Sequence, residues 1–167
     1  MPKIIENIRE ALLIEAKRQI AERGYTATTI RSVATECGIA VGTVYNYFSS
    51  KDMLIASFML EDWLLAIGHV KDALTADSRA YLFEIYSALC GFAGKYSTLF
   101  SDKEAAKAYS LAIGDRHKLL RSQLASLLAT ICKSEFEAEF VAESMLVWTM
   151  AGKSFDEIYS VIKKIII

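Results

Sequence analysis

At 167 residues with 53% hydrophobic content, the chain has ample material for a packed core, and the apolar excess points to a ligand cavity, a dimer interface or both. The only proline is Pro2, and a long proline-free chain rich in Ala, Leu, Ile, Glu and Lys, without alternating runs between turn signals, excludes a β-sheet protein and points to an all-α one. The formal net charge of −1 argues against a nucleic-acid binder until it is divided: residues 1–51 hold seven Lys/Arg against five Asp/Glu, the remainder twelve against fifteen, so the basic excess sits at the N-terminal end.

From Lys3 to Arg23, Ile8, Leu12, Ala16 and Ile20 recur every four positions, with Ile5 and Leu13 widening the stripe, which predicts an amphipathic helix with one buried face ended by a left-handed Gly24. Tyr25 to Ala27 read as a loop. Thr28 or Thr29 then caps a short helix running to about Glu36, with Ile30, Val33, Ala34 and Cys37 inward. Gly38 permits a tight turn, and Val41 to Phe48 form a second short helix on which Val44 and Phe48, four apart, pack inward. Thr43, Tyr45, Asn46 and Tyr47 are left on or beside its outward face with Lys51 just beyond, a polar and aromatic cluster that suits the surface of duplex DNA. Two short helices meeting at Gly38 constitute a helix-turn-helix.

Ser49 or Ser50 caps the next helix, a long one from Lys51 to about Ala73. It is apolar nearly all round and so reads as joining two modules. Helical segments follow at roughly 78–96, 103–113, 115–133, 135–150 and 154–166, with Gly114 and Gly152 as breaks. The domain boundary falls inside the long helix, near Ser50 to Phe58, dividing the chain into residues 1–52 and 53–167.

Three cysteines, Cys37, Cys90 and Cys132, are odd in number and widely spaced, and only His69 and His117 could join them. A disulfide framework and a structural zinc site are therefore not expected, and the thiols read as buried. No nucleophile elbow, P-loop or dinucleotide fingerprint is present, so neither catalysis nor a cofactor is expected. No apolar run approaches a membrane span, and the N-terminal stretch MPKIIENIRE is charged throughout, so the expected location is the cytoplasm without membrane attachment.

The order of features from Lys3 to about Leu60 resembles the DNA-binding domain of the TetR family of bacterial transcriptional regulators. The resemblance runs through Glu22-Arg23-Gly24 and Tyr25, Thr28-Thr29-Ile30-Arg31, Val33-Ala34, Gly38-Ile39, Gly42-Thr43-Val44-Tyr45, Tyr47-Phe48, Lys51 and Leu54, about a third of the chain. It implies an all-α protein whose N-terminal three-helix helix-turn-helix domain is joined by a long helix to a helical ligand-binding and dimerisation bundle. By position, Thr29 would contact phosphate and Arg31 a base or phosphate. Val41, Gly42 and Thr43 would face base edges, Tyr45 and Tyr47 a phosphate or thymine methyl, and Lys51 a phosphate. Val41 and Gly42 offer no hydrogen-bond donors, which shifts weight to shape readout and phosphate contacts.

In the C-terminal part, Tyr81, Ile85, Leu89, Phe92 and Tyr96 form one stripe with Tyr86 beside it. At helical spacing such a stripe is core or a pocket wall. The resemblance implies a pocket for a small apolar or aromatic effector there, with Trp63, Tyr109 and His117 as further lining. It also implies a homodimer formed by the last two helices, for which Phe140, Val141, Met145, Leu146, Trp148, Ile158, Val161, Ile162 and Ile165 supply apolar faces. The implied function is a ligand-responsive repressor on an inverted-repeat operator in double-stranded DNA. The alternatives are a TetR-type activator and a helical small-molecule-binding protein that has lost operator binding.

Overall fold

The computed structural model describes residues 7–73, 77–105 and 113–166, and for 113–116 only the backbone. The described residues form helices and connecting turns, with no strand among them. They are α1 (Ile8–Ala27), α2 (Ile30–Glu36), α3 (Val41–Tyr45), α4 (Lys51–Asp72), α5 (Ser78–Lys95), α6 (Ser97–Ser101), α7 (Ile113–Leu128), α8 (Glu135–Met150) and α9 (Phe155–Ile166). The chain divides into two compact units, Met1–Asp62 with Tyr96–Leu111, and Trp63–Lys95 with Ala112–Ile167. This division falls ten residues beyond the 52/53 boundary and returns a later segment to the first unit, because α4 keeps packing with α1 as far as Asp62.

In the first unit, Asn7 caps α1 by accepting from the Glu10 amide at 3.2 Å. Leu12, Ala16 and Ile20 are buried as the four-residue spacing requires, joined by Leu13 and the fully buried Gln19. The helix is broken at Gly24, which takes φ 78° and ψ 179°. This is positive φ with extended ψ, a region essentially closed to residues bearing a Cβ, so the break is not the left-handed helical cap expected there. One further turn follows where a loop was expected. Thr28 donates to the Gly24 carbonyl at 2.8 Å, and the cap of α2 belongs to Thr29. The Thr29 hydroxyl accepts from the Ser32 amide while the Ser32 hydroxyl accepts from the Thr29 amide, both at 3.0 Å. Gly38 at φ 68° turns the chain into α3, which ends at Tyr45, earlier than expected, although Phe48 still donates its amide to the Val44 carbonyl at 2.9 Å. Ser50 caps α4 by accepting from the Met53 amide at 3.1 Å. Phe58 of α4 stacks on Tyr96, and α6 packs against α1.

In the second unit, α8 is the central helix, packed against α5, α7 and α9. Its buried Ala138, Val141, Ala142, Met145 and Leu146 meet Tyr81, Leu82, Ile85 and Leu89 of α5, Leu124 and Leu128 of α7, and Phe155, Ile158 and Ile162 of α9. Ser134 caps α8, and a reciprocal Ser154–Glu157 pair opens α9.

Three expectations need correction. Gly114 does not break a helix but lies in the first turn of α7, whereas Gly152 does follow the end of α8. All three cysteines are free, but Cys90 is exposed and the other two half-buried, because the core face of α5 is taken by the larger Leu82, Ile85 and Leu89. Finally, α4 is long and apolar enough to cross a membrane by length and composition, although Glu61 and Asp62 sit at its middle, where a charge is costly in lipid.

Candidate nucleic-acid interface

The capping pair of Thr29 and Ser32 is tied to α1 through Gln19, whose carbonyl oxygen accepts from the Ser32 hydroxyl at 2.6 Å and whose amide donates to Glu15 at 2.8 Å. Arg18 grips the same Glu15 through two nitrogens at 2.6 and 2.9 Å and holds that carboxyl below its ordinary range. Helix α2 is thus held on α1 by a polar ladder running through the buried Gln19 as well as by Ile30, Val33 and Ala34.

On the other side, Val44 and Phe48 are buried, and the residues between and around them are pushed outward. Tyr45 is 54% exposed, Tyr47 is 45% exposed, and Gly42 and Asn46 are exposed, while Val41 and Thr43 are half-buried. An open groove of about 430 Å³ runs between α2, α3 and the start of α4, lined by Thr28, Thr29, Ile30, Arg31, Val41, Tyr45, Ser49, Ser50 and Lys51. It brings together five of the nine residues assigned from sequence to DNA: Thr29, Arg31, Val41, Tyr45 and Lys51. Its two charged side chains are both cationic, and hydroxyl groups make up most of the rest, a donor set that suits a phosphate. Arg31 reaches solvent with no ion pair among the described residues.

Lys51 is more occupied than its sequence position implies. Its ammonium donates to the Tyr25 carbonyl at 2.8 Å and lies 3.6 Å above the Tyr25 ring, and burial lowers its pKa. Tyr25 in turn donates its hydroxyl to Asp52 at 2.6 Å, and that burial and bond raise the phenol's pKa. An ammonium has three donors, so Lys51 retains capacity for an anion while closing the last turn of α1. Ser49, Ser50 and the Tyr25–Asp52 pair were not singled out as site residues by the sequence reading. The capping serines beside Lys51 were the signal available.

The residues assigned from sequence to an effector are placed differently. Trp63, Tyr81, Ile85 and Leu89 are packed in the core of the second unit, Trp63 donating its indole N–H to Gln123 at 2.7 Å and meeting Phe92 edge-on at 5.5 Å. Tyr86 and Phe92 are half-buried, and the His117 imidazole lies 3.6 Å from Glu143. Tyr96 is not in this cluster. The α5 helix ends at Lys95, and Tyr96 is buried in the first unit, so a stripe continuous in sequence is divided in space. Tyr109 lies outside the described residues. An open groove of about 390 Å³ between α7 and α8, lined by Ser122, Ser126, Cys132 and Glu139 among others, includes no residue assigned from sequence to the effector.

The dimer-face assignment also divides. Phe140 and Trp148 are exposed and Ile165 is half-buried, whereas Met145, Ile158 and Ile162 are consumed in the unit's own core. The cause is geometric: each of these helices turns one face to its neighbours, and a residue on that face is already covered. The sequence assignment to the dimer face omitted Phe136 (75% exposed) and Val147, which lie, with the assigned Val161 (58%), on the outer faces of α8 and α9.

Residues 12–58 match the family described as bacterial regulatory proteins, tetR family. Those residues are therefore similar to the helix-turn-helix domain of the TetR family, and the fold is like that of solved TetR-like regulators. The HTH-type transcriptional regulator BetI of Burkholderia lata is 40% identical over 93 residues, 53% of this chain and 48% of that protein. The HTH-type transcriptional repressor KstR2 of Mycolicibacterium smegmatis is 38% identical over 58 residues, 34% of this chain and 28% of its own length. The chain thus spans about half the length, or less, of these curated relatives. Among solved structures, Salmonella enterica GusR matches with a TM-score of 0.67 at 19% identity, over 95% of this chain and 89% of its own. The repressor AlkX from a Dietzia strain matches at 0.66 and 13% identity, over 94% and 98%.

Proposed function

We propose that this protein is a DNA-binding transcriptional regulator acting in the cytoplasm, a ligand-responsive repressor that binds an inverted-repeat operator as a homodimer. The observation that carries the reading is the outward surface around α3, where Tyr45, Asn46 and Tyr47 face solvent beside a groove whose only charges are Arg31 and Lys51. The α3 N-terminal residues Val41, Gly42 and Thr43 then meet base edges, and Thr29, Arg31 and Lys51 hold phosphates on either side. Repression follows the relatives described as repressors, KstR2 and AlkX.

Two copies associate through the outer faces of α8 and α9, where Phe136, Phe140, Trp148 and Val161 leave apolar surface open. The pairing presents two recognition helices to major grooves about 34–36 Å apart. A small apolar or aromatic effector bound beside α5 in the second unit, against the partly accessible Tyr86 and Phe92, moves α4 and shifts the population away from the spacing that fits DNA.

The test is selection from a pool of random duplexes. The expected result is an enriched inverted repeat, binding that falls steeply with salt, and marked weakening in Tyr45→Ala and Tyr47→Ala at unchanged helicity. Undiminished affinity in both variants would overturn the assignment of this surface. Failure to retain any duplex would favour a helical small-molecule-binding protein without an operator.

A further inference from the structure

Asp62 is the last residue of the first unit on α4, and Tyr96 is the first residue of that unit after α5. These are two of the three places where the chain passes between units; the third, after Leu111, lies outside the described residues. Asp62 and Tyr96 are joined directly, the Tyr96 hydroxyl donating to one carboxylate oxygen of Asp62. The other oxygen of Asp62 accepts from Lys17 Nζ of α1 at 2.6 Å. The carboxylate is largely buried, with its side chain 13% exposed, and Tyr96 is held on both sides by Phe58, stacked at 6.1 Å, and Phe100, edge-on at 6.4 Å. On the same α1, Gln19 holds the cap of α2. One carboxylate thus ties two of the exits of the unit to the helix on which the helix-turn-helix is built.

We propose that Asp62 is a positioning joint, through which a displacement of α4 or of the segment at Tyr96 is passed to α1 and so to α2 and α3. A largely buried carboxylate that accepts from donors on two separate segments holds them in a fixed geometry, because removing either donor weakens the bonding of a charge taken out of water. Coupling of this kind is reciprocal: occupation of the helix-turn-helix surface must in turn be felt at residues 96–101. That second consequence rests on the DNA-binding reading, and the first does not.

Amide hydrogen exchange on the whole chain tests the joint. In Tyr96→Phe, which keeps the ring and removes the hydroxyl, exchange of α1 amides 12–20 is expected to rise roughly tenfold, the size expected for losing a hydrogen bond to a charged group. Lys17→Met is expected to do the same, and the double variant no more than either alone. Phe100→Leu disturbs the same segment without touching the carboxylate and is expected to raise exchange only near 97–101. If Tyr96→Phe leaves α1 unchanged, if the two variants add, or if Phe100→Leu loosens α1 equally, Asp62 is only a local tie and the proposal is overturned. With a duplex retained by the wild-type protein in the selection, binding is expected to slow exchange at 97–101 in wild type and not in Tyr96→Phe; equal slowing in both would also overturn it. If no duplex is retained, the regulator reading fails, while the measurement on the free protein still decides the joint.

Discussion

The surface around α3 and the outer surface of α8 and α9 are both left uncovered by their own units, yet they are chemically opposite. The first exposes hydroxyls, an amide and two cations around aromatic rings, so it is suited to a hydrated, charged partner. The second exposes Phe136, Phe140, Trp148 and Val161, which gain nothing from water and are suited to a like apolar surface. The contrast shows that exposure alone does not indicate a role; the residue types exposed, set against those the same helix buries, do. At α3 the buried pair is Val44 and, just past the helix end, Phe48, and in α8 it is the Val141–Met145 face, so each segment spends its best core residues inward.

The largest effect expected from breaking this contrast lies beneath either surface. Met145→Ala removes a buried side chain at the centre of the second unit and is expected to cost about 2–5 kcal/mol in denaturant unfolding, whereas Phe136→Ala on the same helix should stay near zero in the monomer. A small cost for Met145→Ala would return that residue to the candidate interface. Next, Phe140→Glu with Trp148→Glu should weaken self-association by about 2 kcal/mol or more, read by sedimentation as a shift toward single chains. Unchanged association would move the dimer to another face.

In the first unit, Thr29→Ala removes the α2 cap and should cost about 1 kcal/mol of stability, with a matching loss of operator affinity. Arg31→Ala should leave stability unchanged and reduce the salt slope of DNA binding by about one, with weakening uniform across sequences if it meets phosphate and sequence-dependent if it meets a base. The smallest effect concerns Glu157, whose carboxylate accepts the Ser154 amide at 2.9 Å and is held down to about 2, with Lys153 and the Ser154 hydroxyl adding to the effect. Because its folded pKa is depressed, its contribution is present above the ordinary carboxylate pKa and is lost as pH falls from about 4.5 toward 2. Glu157→Gln should flatten that part of a pH titration of stability slightly, and an unchanged titration would show that the α9 box adds nothing.

Much of the architecture was legible beforehand because it rests on local rules. The four-residue stripe of α1, the positive-φ glycines at 24 and 38, and the bounds of α8 all follow from periodicity and backbone sterics within a few residues of themselves. So did the exposure of Tyr45 and Tyr47, since burial of Val44 and Phe48 on a short helix leaves their neighbours outside. Lys51 shows the limit: its position marked it for a phosphate, but folding back against Tyr25, 26 residues earlier, also gave it a carbonyl and a ring.

What the amino-acid order determined by itself was the helical class, the helix-turn-helix and the outward chemistry of α3, all set by contacts close in sequence. The tertiary structure alone decided that Tyr96 belongs with Asp62 and Lys17, and that Met145, Ile158 and Ile162 are core while Phe136 and Val161 are surface. Those outcomes depend on which helix packs against which, and a stripe of apolar residues does not name the face that will be covered.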